Sequence, residues 1–160
     1  MKKRNKPESQ NIVKPKTNPF ITVKTFYEKL EARLKLKLET PQVSLTQKIR
    51  STDIHRPGLA FSGYFDYFAC DSVQILGQTE INYFKTLSQV EIEKNISRLF
   101  TYKIPCLVVS RNQKVPALLI QKAVEAGIPI FKSPLTTSKL SAQITVFLEE
   151  SRSPEISLHA

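Results

Sequence analysis

The amino-acid sequence predicts an α/β fold, a single layered domain with a mostly parallel sheet. Two short runs, Cys106–Val109 and Ile128–Phe131, are apolar on both faces, which is typical of parallel strands covered by helices on each side. The segment between them has the end signals of a helix, because Pro116 suits a first helical position and Gly127 suits a helix end. Strand, helix, strand and a further helix in succession predict a right-handed parallel unit.

The chain before this unit is read from its local patterns. Residues 20–23 predict a short strand or a capped helix entry. The segment 24–36 predicts a helix, because Phe26, Leu30 and Leu34 recur at helical spacing. One face of this helix is therefore expected to be buried.

Further elements are expected on both sides of Gly77. Residues 45–54 predict extended chain, 73–76 a strand, and Thr79 with Glu80 the start of a helix that ends near Leu87. A capping box at Ser88–Glu91 predicts a second helix to about Phe100. The inward side chains expected here are Val90, Ile96, Leu99 and Phe100, and those of the helix after Pro116 are Ala117, Leu118, Ile120, Val124 and Ala126. A last helix is expected from about Thr137 to Glu150.

Length and composition place the chain among cytoplasmic globular domains. Its 160 residues suit one domain with a core of its own, and no run of about 18 apolar residues predicts a membrane span. The basic first residues lead into no apolar segment, so no secretory signal is predicted. Cys70 and Cys106 lack the spacing of a zinc set, and we expect reduced cysteines, a buried Cys106 and no metal.

The positive charge is concentrated at the N terminus. Of a net charge of +10, half lies in residues 1–20, which hold six Lys and Arg and one Glu. Residues 1–19 are interpreted as a flexible basic tail because their polar, proline-containing composition buries little surface. Such a tail can bind nucleic acid, but a solvated tail without a function is the preferred interpretation.

The stretch from Ser51 to Gly77 holds three of the four glycines of the chain. Arg56, Pro57 and Gly58 predict a turn in which glycine supplies a left-handed position. The turn presents an arginine beside a run of aromatic residues at 64–68, which could be either core or interface. Such a turn could hold a planar or anionic ligand.

A pocket built on this stretch is one hypothesis for function. Thr136, Thr137 and Ser138 stand where a helix begins, and free N–H groups there favour an anion. Each residue also has a purely structural interpretation, as a cap, a first-turn acid or a brace of the turn. The candidate ligand-binding residues are Asp53, Arg56, Gly58, Tyr64, Gln74, Gly77, Glu80, Thr136 and Thr137.

Three segments resemble the N-terminal domain of bacterial HPr kinase/phosphorylase. They are D-I-H-R-P-G-L-A-F-S-G-Y-F-D-Y-F, V-Q-I-L-G-Q-T-E and A-G-I-P-I-F-K-S-P-L-T-T-S. The resemblance implies a folded domain at 20–150, similar to the uridine-binding N-terminal domain of muramyl ligases, and a linker at 151–160 that leads toward an absent kinase domain. It also implies an oligomer in the cytoplasm and a place in the phosphotransferase system, which controls carbohydrate metabolism.

The family enzyme phosphorylates a serine of HPr with ATP and Mg²⁺, and it also removes this phosphate. Its phosphate-binding loop, G-x-x-x-x-G-K-S/T, does not occur in this sequence. His159 matches a family active-site histidine by position, but one residue from the end of the chain it cannot be held for catalysis. We therefore expect this chain to be inactive alone and to hold no cofactor.

Two functions from different classes remain open, and a third ranks last. The first is a non-catalytic regulatory or assembly domain, with the kinase domain, other subunits and HPr as partners. The alternative is a stand-alone binding module for a nucleotide or sugar-phosphate anion, which predicts saturable ligand binding. Nucleic-acid binding by residues 1–19 ranks last, and it predicts an affinity that depends strongly on salt.

Overall fold

The computed structural model of the chain describes residues 19–152. In chain order its elements are β1 (Ile21–Thr22), α1 (Val23–Leu34), β2 (Lys37–Leu38), β3 (Lys48–Ile49), β4 (Ile54–His55), α2 (Gly58–Phe61), β5 (Val73–Leu76), α3 (Gln78–Thr86), α4 (Gln89–Thr101), β6 (Leu107–Val109), α5 (Ala117–Ala126), β7 (Ile130–Lys132) and α6 (Thr137–Arg152). No helix in this range is both long enough and apolar enough to span a membrane.

Four parallel strands form most of one five-stranded sheet. The strand order is β2-β7-β6-β5-β4, so β4 to β7 lie side by side in the order in which the chain makes them. At the far edge β2 pairs antiparallel with β7, while β1 and β3 form a separate two-stranded ribbon. The predicted α/β domain with a mostly parallel sheet is confirmed, and the likeness to muramyl ligases stays a prediction.

Helices cover both faces of this sheet, because its central strands alternate apolar side chains between them. In β6, Leu107 and Val109 join one buried cluster and Val108 joins the other. The first cluster packs beneath α2, α3, α4 and α5, and the second beneath α1, α6 and the ribbon. Cys106 is fully buried in the second cluster, as predicted, and burial raises the pKa of its thiol.

Residues 20–23 form both of the predicted alternatives, a short strand and a capped helix entry. Ile21 and Thr22 form β1, and Thr22 also caps α1, since its Oγ1 accepts a hydrogen bond of 3.2 Å from the N–H of Thr25. The predicted inward face of α1 is confirmed, with Phe26, Leu30 and Leu34 fully buried.

The predicted inward face of α4 is confirmed for Ile96, Leu99 and Phe100 but was wrong for Val90, and the predicted face of α5 was largely wrong. Val90 is 75% exposed, because it lies about 200° around α4 from Ile92, which is buried. In α5 the buried residues are Leu119 and Ala123, whereas Ala117 and Ala126 are exposed and Leu118, Ile120 and Val124 are half-buried. Gln121, Lys122 and Glu125 occupy one side of α5, and the packing of α5 against α4 decides which part of its wide apolar surface is buried.

Candidate functional site

The carboxyl ends of the four parallel strands meet at one edge of the sheet. Arg56 directly follows β4, Gly77 follows β5, Ser110 follows β6 and Ser133 follows β7. In open α/β sheets, ligands bind outside this edge. The candidate site is built here.

An ion pair holds Arg56 at this edge. Its Nη2 lies 2.7 Å from Oε1 of Glu80, in the first turn of α3, and the same oxygen accepts a hydrogen bond of 2.7 Å from the N–H of Gly77. The Glu80 side chain is 6% exposed and that of Arg56 is 42% exposed. A buried carboxylate therefore fixes one side of a guanidinium whose other side reaches solvent.

Gly77 is required by close contact rather than by its backbone angles. Its φ of −102° and ψ of −166° are open to any residue. A Cβ at this position would lie 2.7 Å from Nη2 of Arg56 and 2.7 Å from Oγ1 of Thr137. These two side chains approach the main chain only because position 77 has no side chain.

Gly58 does not have the conformation that the sequence predicted. It is the first residue of α2, and the glycines with positive φ among residues 19–152 are Gly63 and Gly127. Pro57 precedes it at φ −87° and ψ 29°, so the chain enters a short helix instead of a turn with a left-handed glycine. Gly58 still lies beside the site, since a Cβ there would be 3.8 Å from Oε2 of Glu80.

Hydroxyl groups connect β6 and α6 to the same place. Ser110 Oγ lies 2.8 Å from Thr137 Oγ1, and the N–H of Ser110 donates to the carbonyl of Leu76 over 3.0 Å. Thr136 caps α6, because its Oγ1 accepts from the N–H of Lys139 over 3.2 Å. The N–H groups of Thr137 and Ser138 belong to the first turn of α6, where no partner exists within the helix.

A cleft of about 760 Å³ opens from this edge along α6. Arg111 follows β6, and its N–H donates to the carbonyl of Leu135 over 2.9 Å, which places it beside the start of α6, at the same end of the cleft as Arg56. The lining residues are Arg56, Arg111, Thr137, Ser138, Ser141, Ala142, Thr145 and Val146. The cleft thus offers guanidinium, hydroxyl and N–H donors to an anion.

The structure brings together only part of the predicted set. Arg56, Gly77, Glu80 and Thr137 meet as described, and Gly58 and Thr136 adjoin them. The other three predicted residues, Asp53, Tyr64 and Gln74, are not part of this group, and of the whole predicted set only Arg56 and Thr137 line the cleft itself. Whether any of these residues binds a ligand stays a prediction, and His159 lies outside the described residues.

Those three residues have other surroundings. Gln74 is fully buried, and its Nε2 donates to the carbonyls of Ala69 and Ser72 over 2.9 Å each. Asp53 is exposed, and its N–H donates to Ser51 Oγ. Tyr64 is about half exposed.

Arg111 and the α6 face were missed by the sequence interpretation, although signals for both exist. Arg111 stands two residues after a predicted parallel strand, which places it at the ligand-binding edge. Ser138, Ser141 or Ala142, and Thr145 are small residues at helical spacing on an otherwise ordinary helix. A long helix with one face of small residues indicates that a cleft can lie against that face.

The aromatic run at 64–68 divides between core and surface. Phe65 is buried and stacks on Tyr102 with ring centroids 5.3 Å apart, and Phe68 meets both rings edge-on. Tyr67 is fully exposed at a positive φ of 58°. His55 also meets Phe68 edge-on, and burial lowers the pKa of its imidazole.

Within residues 19–152 no three His, Cys, Asp or Glu side chains gather where they could hold a metal ion. The predicted lack of a metal and of a bound cofactor stays a prediction.

Comparison with known proteins identifies the family. The sequence model described as "HPr Serine kinase N terminus" matches residues 21–148. The chain belongs to this family. The predicted resemblance is therefore confirmed over most of the chain.

The relatives of this HPr serine kinase N-terminus domain are about twice as long. This chain is 34% identical over 141 residues to the HPr kinase/phosphorylase of Bacillus cytotoxicus. The aligned residues make up 88% of this chain and 44% of the relative. This chain is 35% identical over 127 residues to the HPr kinase/phosphorylase of Halalkalibacterium halodurans, covering 79% and 41%. The chain thus spans less than half the length of these relatives.

Solved structures are also similar to this chain. One of them contains the CBS and DRTGG domains of the regulatory region of Clostridium perfringens pyrophosphatase complexed with its activator, diadenosine tetraphosphate. The TM-score is 0.47 at 12% identity, covering 80% of this chain and 50% of the other.

Proposed function

We propose that this chain is the non-catalytic regulatory or assembly domain at the N terminus of an HPr kinase/phosphorylase. The observation that carries this proposal is the family match over residues 21–148, together with relatives that continue for more than the same length again. The kinase domain, other subunits of that enzyme and HPr are its partners, and carbohydrate metabolism is the process that it serves.

The sequence supports a role outside the phosphoryl-transfer step. A phosphate-binding loop needs glycines around the nucleotide and a lysine on its phosphates, and the sequence lacks G-x-x-x-x-G-K-S/T. ATP and Mg²⁺ therefore belong to the kinase part of the enzyme. Phosphoryl transfer depends on positioning and charge neutralisation around that nucleotide, so this chain alone is inactive.

The first experiment measures phosphorylation of HPr. The purified chain is incubated with HPr, ATP and Mg²⁺, and phosphoserine is followed by mass spectrometry. The full-length enzyme of Bacillus cytotoxicus serves as the positive control. We expect no phosphoserine with the chain alone, and its formation would overturn the non-catalytic assignment.

The second experiment tests the regulatory or assembly role. The kinase half of the Bacillus cytotoxicus enzyme is prepared without its N-terminal part and mixed with this chain. We expect a larger assembly by light scattering or a changed rate of HPr phosphorylation. If neither the mass nor the rate changes, the chain does not act on a kinase domain of this family.

The stand-alone binding module and the basic tail remain predictions. Nothing in the family match favours a separate module, and residues 1–18 lie outside the described part of the chain. The bounds of the folded domain, 20–150, the linker at 151–160 and the cytoplasmic location likewise remain predictions.

A further inference from the structure

We propose that the cleft along α6 binds an organic phosphate monoester with its phosphate at Arg56 and Arg111 and its body along Ala142 and Val146. This ligand would be an effector of the proposed regulatory domain. The binding itself depends only on the cleft, so it can be tested without the kinase.

Arg56 is prepared for an anion before any ligand arrives. A guanidinium has five N–H donors, and Glu80 engages one nitrogen of this group at 2.7 Å. The remaining donors belong to a side chain that is 42% exposed and lines the cleft. Because the buried carboxylate already holds the Arg56 side chain in place, this side chain loses little further conformational entropy when a ligand binds.

Glu80 offsets the charge of Arg56, so attraction of an anion requires a second cation. Arg111 supplies it at the same end of the cleft. Among the described residues no carboxylate oxygen lies within 4 Å of its guanidinium, and no acidic side chain lines the cleft. A phosphate carries the two negative charges and several acceptor oxygens that two guanidinium groups and the hydroxyls of Thr137 and Ser138 can satisfy.

Position 77 keeps this end of the cleft in its present geometry. Any Cβ there would come within 2.7 Å of both Arg56 Nη2 and Thr137 Oγ1. The donors from β4 and α6 converge because β5 ends in glycine. This convergence is independent of the dipole of α6.

The remainder of the cleft is suited to an uncharged body. Along α6 the apolar side chains of Ala142 and Val146 join the lining beyond the first hydroxyl groups, and Val146 is 52% exposed. A volume of about 760 Å³ lies within the usual range of small-molecule sites, which is larger than inorganic phosphate requires. A phosphate with an attached apolar or planar group fills both parts.

Calorimetric titration of the purified chain tests this with three probes. Phenyl phosphate carries both a phosphate and an apolar ring. Inorganic phosphate carries the phosphate alone, and benzyl alcohol carries an apolar ring without charge. We expect saturable binding of phenyl phosphate, weaker binding of inorganic phosphate and none of benzyl alcohol. Absence of saturable binding by phenyl phosphate would overturn the proposal.

Three variants locate the probe. Arg111→Ala should weaken phenyl phosphate about tenfold, the value of one charge-assisted hydrogen bond. Arg33→Ala removes another exposed arginine, at the end of α1, and should leave the affinity unchanged. Ala142→Leu should weaken phenyl phosphate but not inorganic phosphate, because it fills only the part of the cleft that takes the body.

The outcomes separate specific binding from general attraction. Equal losses in Arg111→Ala and Arg33→Ala would mean that the positive charge of the chain attracts the anion without a site. An unchanged affinity in Ala142→Leu would overturn the orientation along α6. Neither result bears on the HPr assays, so failure of this site and failure of the proposed function remain distinguishable.

Discussion

At the scale of single residues, Gly77 is the position on which the site depends. Its main-chain N–H binds Glu80, while Arg56 and Thr137 occupy the space that a side chain would take. The end of β4, the start of α3 and the start of α6 are therefore in contact at one residue that has no Cβ. The arrangement stores no backbone strain, since the φ of Gly77 is ordinary.

We predict that Gly77→Ala displaces Arg56 and Thr137 together. The displaced groups are ends of side chains, so we expect a loss of about 1–2 kcal/mol in the free energy of unfolding rather than loss of the fold. Gly58→Ala is the matched control, because its Cβ would meet Glu80 only at 3.8 Å and should change stability by less than about 0.5 kcal/mol. Urea denaturation compares the two, and equal effects would contradict the close-contact explanation.

At the scale of elements, the start of α4 is set by Ser88, the capping residue directly before the helix. Ser88 Oγ accepts from the N–H of Glu91 over 3.2 Å, and Glu91 Oε1 accepts from the N–H of Ser88 over 3.2 Å. Two otherwise free donors are thus satisfied. The helix then positions Asn95, whose Nδ2 donates to the carbonyl of Phe61 in α2 over 2.7 Å.

Ser88→Ala is expected to lower the free energy of unfolding by about 1 kcal/mol, the usual value of an N-cap hydroxyl. Ser97→Ala makes the same change at an exposed position inside α4 and should be neutral or slightly stabilising, because alanine favours helix. Thermal unfolding of both variants decides this. Indistinguishable melting temperatures would mean that the capping box contributes nothing.

At the scale of the whole molecule, one sheet joins two separate hydrophobic clusters. Leu30 belongs to the cluster under α1 and α6, and Ile96 to the cluster under α2 to α5. Adjacent residues of β6 point into each. Since neither cluster can open without exposing the shared strands, the domain should unfold in one step.

We predict that Leu30→Ala and Ile96→Ala each cost about 2–5 kcal/mol and leave a single unfolding transition. Val90→Ala is the control, since this exposed residue should change stability by less than about 0.5 kcal/mol. Within each variant, circular dichroism and tyrosine fluorescence should give the same urea midpoint as each other. Different midpoints for the two probes would show that the two faces unfold independently.

The sequence alone determined the family, the order of most elements and their ends. Capping at Ser88, the glycine after α5 and the apolar runs of β6 and β7 act between residues a few positions apart, so local patterns encode them. The same holds for Arg56, Gly77, Glu80 and Thr137 as candidates, because each stands at the end of a strand or the start of a helix.

Tertiary structure decided which of these candidates meet. Strand β2 has two residues and pairs with β7 more than 90 positions later, so no local run indicated it. The buried side of α5, the exposure of Val90 and the place of Arg111 in the same cleft as Arg56 likewise depend on partners far along the chain. Periodicity shows that a helix has an apolar side, but only the packing of distant elements determines which surface that side covers and which strand ends share a cleft.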